Sequence, residues 1–277
     1  MNKIIYIVAT PIGNLGDISL RAIETLKKVD LILAEDTRRS KILLDHYAIT
    51  TPLKSFHKFN EKKNISEMAQ ILASYPSIAL VSDAGTPLIS DPGGYLIDYA
   101  LNKQISLVPI PGPSALTTLL SVFGQSGQKA QTVFLGFLDY KEKVREKVLT
   151  NLLSSEYKFV FFESPNRINS TIAIISSLDP DAEIVIGREL TKINEEILRF
   201  KAKIAPFIKE KGEISVAVNP SGKAIKNNIL NQTPEHKSMT KDLSVLLAKY
   251  LNLNNKDAYN LLLELKTKSQ NNKGIID

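Results

Sequence analysis

Cysteine is absent from all 277 residues, which excludes disulfides, thiolate metal sites and cysteine nucleophiles. Histidine is scarce. His46, His57 and His236 lie too far apart to form a local metal motif such as H-E-x-x-H, so no metal is expected. No apolar run approaches the roughly 20 residues of a membrane-spanning helix. The opening "MNKIIYIVATPIGN" carries one lysine and a short apolar run. It reads as a first strand rather than a signal peptide. These absences point to a soluble protein of the cytoplasm.

What is present suits a globular chain. Hydrophobic residues make up 43% and charged residues 23%, enough for one large or two medium cores. The net charge of +6 is a mild excess that suits an anionic partner. Four near-continuous apolar runs, "KIIYIVA", "LILAED", "SIALVSD" and "ISLVPIP", read as strands of a parallel sheet covered on both faces. Amphipathic segments separate them. In "DISLRAIETLKKV", Ile18, Ala22, Ile23 and Leu26 share one helical face. The alternation predicts an α/β domain over residues 1–118. A second set, "TVFLGFL", "KFVFFES", "EIVIGREL" and "EISVAVNP", predicts another α/β domain over 119–222. Its helices fall near 141–153 and 166–178. An extended arm is expected at 191–203 and a short helix near 205–211. Residues 223–277 differ. A polar linker leads to two amphipathic helices, the second capped by Asn254 or Asn255. Nine lysines against five acidic residues from Ser221 onward allow RNA contact, and packing on the second domain is the alternative.

Each candidate ligand loop begins where a strand ends. "ATPIGNLGD" follows the first strand and leads into a helix. It is neither a G-x-G-x-x-G fingerprint nor a phosphate loop ending in Lys-Ser or Lys-Thr. "VSDAGTPLISDPG" concentrates two Asp, two Pro and two Gly after an apolar run. In it Asp83 reads as ligand-facing and Asp91 as a helix-start residue. "PIPGPSAL" is a rigid turn that places Ser114 and Ala115 at a helix start. Leu116 stands where a nucleophile elbow needs glycine, so a serine hydrolase is not indicated. "FFESPNR" and "GRELTKINEE" add charged clusters from the second half. In α/β folds such loops converge on the rim where ligands bind, here in a cleft between two domains.

Taken in order, "VATPIGNLGDISLRAIETLKKVDLILAEDTRRSKILLDHY", "LVSDAGTPLISDPG", "PIPGPSAL", "FFESPNR" and "RELTKINEE" closely resemble the ribosomal RNA small subunit methyltransferase I family of the tetrapyrrole-methylase superfamily. The resemblance runs from about residue 3 to 220, and the helical tail is similar to that family's C-terminal region. It implies two α/β domains with a cofactor cleft between them and S-adenosylmethionine as methyl donor. It also implies a cytidine ribose 2′-hydroxyl in the decoding region of 16S rRNA as acceptor, within the small ribosomal subunit, and a homodimer. Carried onto this sequence, the cofactor-binding residues are Pro11, Ile12, Gly13, Asp83, Ala84, Thr86, Ser114, Ala115, Phe162 and Leu190. Glu163, Glu189 and Lys192 are the catalytic candidates, with Asp36 in reserve. The sequence does not choose among them. Arg38, Arg39, Lys41, His57, Lys58 and Arg167 are candidate RNA contacts, joined by Lys62 and Lys63. Phe56 or Phe59 is placed to stack on a base. The sequence departs from the family pattern at Phe59, Asn166 and Asn194, each standing where the family has histidine, which weakens the case for an imidazole base. Two other readings stay open. One is a methylase of the same superfamily acting on a tetrapyrrole or a protein side chain. The other is a non-catalytic module of ribosome assembly.

Overall fold

The structure is a computed structural model that describes residues 3–56, 65–91, 93–124, 131–222, 254 and 256–260. The chain forms two compact units, Met1–Gly222 and Lys223–Asp277. The first unit holds two five-stranded sheets. The expected boundary between residues 118 and 119 falls inside a helix, α5 (Ala115–Phe123), that packs on the second sheet.

The first sheet contains β1 (Ile4–Val8), β2 (Leu31–Ala34), β3 (Leu53–Ser55), β4 (Ser77–Val81) and β5 (Ser106–Ile110). Their order is β3-β2-β4-β1-β5, all parallel. The continuous apolar runs have a simple cause. Ile32, Ala34, Ala79 and Val81 enter one core cluster, while Leu31, Leu33, Ile78 and Leu80 enter another. Successive strand residues face opposite sides, so both faces of this sheet are buried. Helix α1 (Leu20–Lys28) starts at Ser19, whose Oγ accepts the Ala22 N–H at 3.1 Å. It buries Ala22 and Leu26 against the first of these clusters. Helix α2 (Thr37–His46) follows β2, α3 (Ile65–Ser74) precedes β4, and α4 (Gly94–Asn102) follows it. Strand β3, a three-residue edge with one half-buried side chain, is too short and polar to show in the sequence pattern.

The second sheet contains β6 (Thr132–Phe137), β7 (Lys158–Glu163), β8 (Glu183–Arg188), β9 (Glu196–Lys201) and β10 (Ile214–Asn219). Their order is β6-β7-β10-β8-β9. Only β6 and β7 pair in parallel; β10 runs antiparallel to both its neighbours, and β8 and β9 form a hairpin. One face packs with α6 (Glu142–Leu153) and α7 (Ile168–Leu178). On the other face, Val160, Val185 and Ala217 meet Leu119 and Phe123 of α5, together with Ile12 and Leu190. This cluster joins loops of the first sheet to strands of the second.

Two expectations are corrected. Residues 205–211 form no helix; a short 3-10 turn, Ala202–Ile204, precedes irregular chain. Pro206 disfavours a helical conformation at Ala205. The Asn169 side chain takes both backbone groups of Ile208, accepting its N–H and donating to its carbonyl, each at 2.9 Å. Those groups are thereby satisfied without a helix. Asp91 does not start α4; Gly93 is the N-cap residue and makes no side-chain cap bond.

In the second unit, Asn255 lies outside the described residues, and Asn254 acts as a cap. Its Oδ1 accepts the N–H groups of Lys256 and Asp257 at 3.1 and 2.9 Å, opening the helical residues 256–260. The expected helix before it lies outside the described residues, as do His57, Lys58, Phe59, Lys62 and Lys63. Among the described residues no helix is long and apolar enough to cross a membrane.

Candidate active site

A cavity of about 420 Å³ opens between the two rims, within the range of small-molecule sites. The first sheet contributes Ile12 after β1, Glu35 and Arg39 after β2, Asp83, Ala84, Thr86, Ile89, Ser90 and Asp91 after β4, and Ser114 and Ala115 after β5. The second contributes Phe137, Phe162 to Pro165, and Gly212 to Ser215.

Backbone hydrogen bonds join the first-sheet loops. Thr10 N–H donates to the Gly85 carbonyl at 2.9 Å, and Gly85 N–H returns to the Thr10 carbonyl at 3.0 Å. Gly85 meets this geometry with φ of 79°, a conformation that strains other residues. Thr86 Oγ1 donates to the Pro113 carbonyl at 3.3 Å, tying in the third loop. Helix α5 then opens at the cavity with Ser114 as N-cap and no side-chain cap bond. Its first N–H groups are left to a ligand.

The second-sheet loops are held by charge. Glu163 Oε1 accepts from Arg167 Nη2 at 2.6 Å and from Ser164 N–H at 2.8 Å; its Oε2 accepts from Thr171 Oγ1 at 2.8 Å. The Glu163 side chain is fully buried. Glu189 Oε1 accepts from Lys192 Nζ and from Glu213 N–H, both at 2.8 Å. The Lys192 bond, with the Glu213 N–H second, holds the Glu189 carboxyl below its usual range. Partial burial acts to lower the Lys192 pKa, but the bond to Glu189 and the charge of Glu213 outweigh it, and the net shift is upward.

This loop also grips the first. Thr191 Oγ1 accepts the Asn14 N–H at 3.0 Å. A Cβ at Gly13 would stand 2.4 Å from Lys192 Cγ and 2.7 Å from Thr191 Oγ1. Glycine is therefore required where the two loops touch. Strain collects here too. Six non-glycine residues have positive φ among the described residues, and four of them, Leu88, Ser90, Glu189 and Thr191, lie in the loops after β4 and β8. Each costs on the order of 1–3 kcal/mol, which the surrounding bonds must offset.

Of the expected residues, Ile12, Asp83, Ala84, Thr86, Ser114, Ala115, Phe162, Glu163 and Arg39 meet at the cavity. Pro11 faces a smaller neighbouring pocket. Gly13, Glu189 and Lys192 lie in the loop contact behind the wall, and Leu190 is buried beside Ile12 in the joining cluster. Asp36 caps α2, and its carboxylate accepts three bonds from Arg38. These bonds hold its pKa far below the usual carboxylate range, so it is a poor proton acceptor. Arg38 and Lys41 are exposed on α2, paired with Asp36 and Asp45. Arg167 turns inward to Glu163 and is mostly covered. Phe56 packs against the core of the first sheet.

Glu35, Ile89, Ser90, Phe137 and the 212–215 segment were not singled out from the sequence, and Asp91 was read as a helix start rather than as part of the cavity. The omission of the 212–215 segment has a clear cause. Strand β10 is antiparallel to β7, with Ile214 beside Glu163 and Ser215 beside Phe162, so its beginning reaches the rim where β7 ends. A rule based on strand ends in a parallel sheet passes over it.

Two α/β sheets joined through α5, with a ligand-sized cavity between their rims, define a two-lobed binding fold. The family model for Tetrapyrrole (Corrin/Porphyrin) Methylases matches residues 4–205. Ribosomal RNA small subunit methyltransferase I of Thermotoga maritima is 47% identical over 79% of this chain and 99% of its own length. The protein of that name from Leptospira biflexa is 41% identical over 81% of this chain and 94% of its own. Among solved structures, a diphthine synthase superposes with a TM-score of 0.60 at 13% identity, covering 81% of this chain and 95% of that one. Uroporphyrin-III C-methyl transferase from Thermus thermophilus, complexed with S-adenyl homocysteine, gives 0.54 at 13%, covering 81% and 99%. The chain belongs to the tetrapyrrole methylases and, within them, to the ribosomal RNA small subunit methyltransferase I family; it is a methyltransferase. Among the described residues, no group of three or more His, Asp or Glu could hold a metal ion.

Proposed function

We propose that the protein methylates the ribose 2′-hydroxyl of a cytidine in the decoding region of 16S rRNA, using S-adenosylmethionine. The observation that carries this reading is the 47% identity spanning 99% of a relative named for small-subunit rRNA methylation. The cavity fits the donor in size and chemistry. Ile12, Ala84, Ala115 and Phe162 offer apolar contact to an adenine, Asp83 and Asp91 place acidic groups beside a cationic ligand, and the uncapped start of α5 suits a carboxylate. Bound there, the donor supplies an electrophilic methyl carbon on a sulfonium.

The chain's own residues then work mainly by positioning. All three catalytic candidates have their polar atoms engaged. Glu163 shares its two oxygens among three donors, Glu189 is held ionised, and Lys192 is held protonated. In this reading they fix the shape of the second rim, and the hydroxyl proton leaves to solvent. Pro11, Gly13 and Leu190 support the donor loops from behind. Arg38, Arg39 and Lys41 stand on one exposed helix beside the cavity, where RNA phosphate contact is proposed, together with His57 and Lys58. Arg167 has a positioning role instead. The proposed setting is the cytoplasm, on the small ribosomal subunit, with the protein as a homodimer.

The test supplies methyl-labelled donor to undermethylated small subunits and to naked 16S rRNA, with a precorrin as control. Label in RNA at a cytidine ribose, mapped by reverse-transcription stops at low nucleotide concentration, is the expected result. Label in neither RNA rejects the reading.

A further inference from the structure

An exposed aromatic ring stands at the mouth of the large cavity. Phe137, the last residue of β6, lines the cavity and is 61% exposed. Ile89, in the loop after β4, lines it too and is 39% exposed. The two rims approach closely here, for a Cβ at Gly136 would stand 2.9 Å from Ser90 Oγ. Phe137 and Ile89 each neighbour one of these residues in the chain, so both sheets contribute to one apolar lip. The Phe137 ring meets the Phe162 ring edge to face at 5.5 Å, and Phe162 meets Phe134 in the same way at 5.1 Å.

The backbone holds this ring out. The pairing of β6 with β7 shifts register between Phe134 and Phe137, and Gly136 takes a φ of 63°. Such an irregularity re-aims the side chain beside it. The chain beyond is pinned. Arg167 Nη2 donates to the Leu138 carbonyl at 3.5 Å. The buried Arg145 donates from Nη1 to the carbonyls of Asp139 and Tyr140 at 3.3 and 3.5 Å. Leu138 itself is buried in the core of the second sheet. A ring kept in solvent on a fixed backbone forgoes the stabilisation of burial, which suits a ligand that covers it.

We propose that Phe137 stacks on the base of the acceptor nucleotide. In a ribonucleotide the base is carried on the carbon next to the one bearing the 2′-hydroxyl. A hydroxyl brought to about 3 Å from the methyl carbon of a donor in the cavity leaves its base at the mouth of that same cavity, with no wall between. Aromatic side chains hold unpaired bases in this way. Arg39, exposed on the facing rim and lining the same cavity, offers a cation to the phosphate of that nucleotide. Stacking accepts any base, so the contact orients the nucleotide and does not select cytidine. The stacking role expected of Phe56 falls to Phe137, because Phe56 packs against the core of the first sheet. The inference rests on the RNA-methylating reading above.

The test compares Phe137→Ala, Phe137→Leu and Phe137→Tyr with the unaltered protein. Three quantities are read: steady-state methylation of undermethylated small subunits, donor affinity by calorimetry, and melting temperature. Phe137→Ala should raise KM for the subunit and lower kcat/KM about tenfold, the size of one lost stack. Phe137→Leu, apolar but without a ring, should lose as much, whereas Phe137→Tyr should restore kcat/KM. Donor affinity and melting temperature should hold in all three. Unaltered kcat/KM in Phe137→Ala overturns the proposal, and so does full activity in Phe137→Leu. A parallel loss of donor affinity also overturns it, because the ring would then hold the donor's adenine. These outcomes leave the RNA-methylating reading standing. If the unaltered protein labels no RNA, that reading itself fails and takes this inference with it.

Discussion

On the first sheet, the loops after β1 and β4 exchange two backbone hydrogen bonds, Thr10 with Gly85. On the second sheet, the loops after β7 and β8 are fixed by Glu163 with Arg167 and by Glu189 with Lys192 and Glu213. The difference teaches where charge is available to a ligand. Backbone bonding leaves Asp83 on the cavity wall, where among the described residues it accepts the Asp36 N–H at 2.9 Å and pairs loosely with Arg39. The second rim is rich in charge, yet its charged groups are engaged with one another. Charge density at a strand end is therefore a poor guide to chemistry unless the partners of each group are known.

The largest effect should come from breaking the second rim. Glu163→Ala leaves Arg167 and Thr171 without their acceptor at a buried site. It should destabilise folding by about 3–5 kcal/mol, read as a lower denaturant midpoint. The matching change on the first rim, Asp83→Ala, should act on binding instead. Loss of one charged contact lowers donor affinity by about 10–100-fold in calorimetry. If Asp83→Ala destabilises as much as Glu163→Ala, the contrast between the rims is lost.

The contact between the rims comes next. Gly13→Ala drives a methyl into Lys192 and Thr191, and overpacking of this kind costs about 1–3 kcal/mol. Donor binding should weaken along with stability, because both rims shift. A smaller loss is expected for Arg199→Met. Arg199 donates to the Val122 and Phe123 carbonyls at the end of α5, so it ties β9 to the helix that opens at the cavity. Loss of a cation at a helix C-terminus is worth up to ~2 kcal/mol, measured by thermal or urea unfolding.

The smallest effect concerns pH. The Glu189 carboxyl is held below its ordinary 4.5. Its contribution to stability is therefore present above pH 4.5 and lost as pH falls through the depressed value. Lys192 is held above its ordinary 10.5; its contribution is present below that pH and lost as pH rises through the raised value. Glu189→Gln should flatten the acid limb of a stability-against-pH curve. An unchanged limb would show that the contact contributes nothing to folding.

Much of this was legible in the sequence. The buried strands were visible because β2, β4, β7, β8 and β10 present apolar side chains on both faces, producing unbroken runs. The punctuated loops were visible because glycine and proline mark chain that leaves regular structure. The Asn254 cap is local and follows from neighbouring residues. Asp91 illustrates the limit. It stands before a helix and next to a proline, and the local rule assigns it a capping role. The loop's backbone, with Leu88 and Ser90 at φ of 73° and 78°, carries it to the cavity wall instead.

By itself the sequence determined the α/β alternation, the family and the loops that form the first rim, since each rests on residues adjacent along the chain. Tertiary structure alone decided which charged groups remain available and which are held by a partner, for those partners lie on other elements. It also decided that the start of β10 faces the cavity, because strand direction in a mixed sheet is set by pairing rather than by composition. Ser40 is an ordinary helical serine in sequence. Only the packing of α2 against the loops after β1 and β4 buries its hydroxyl without a partner among the described residues.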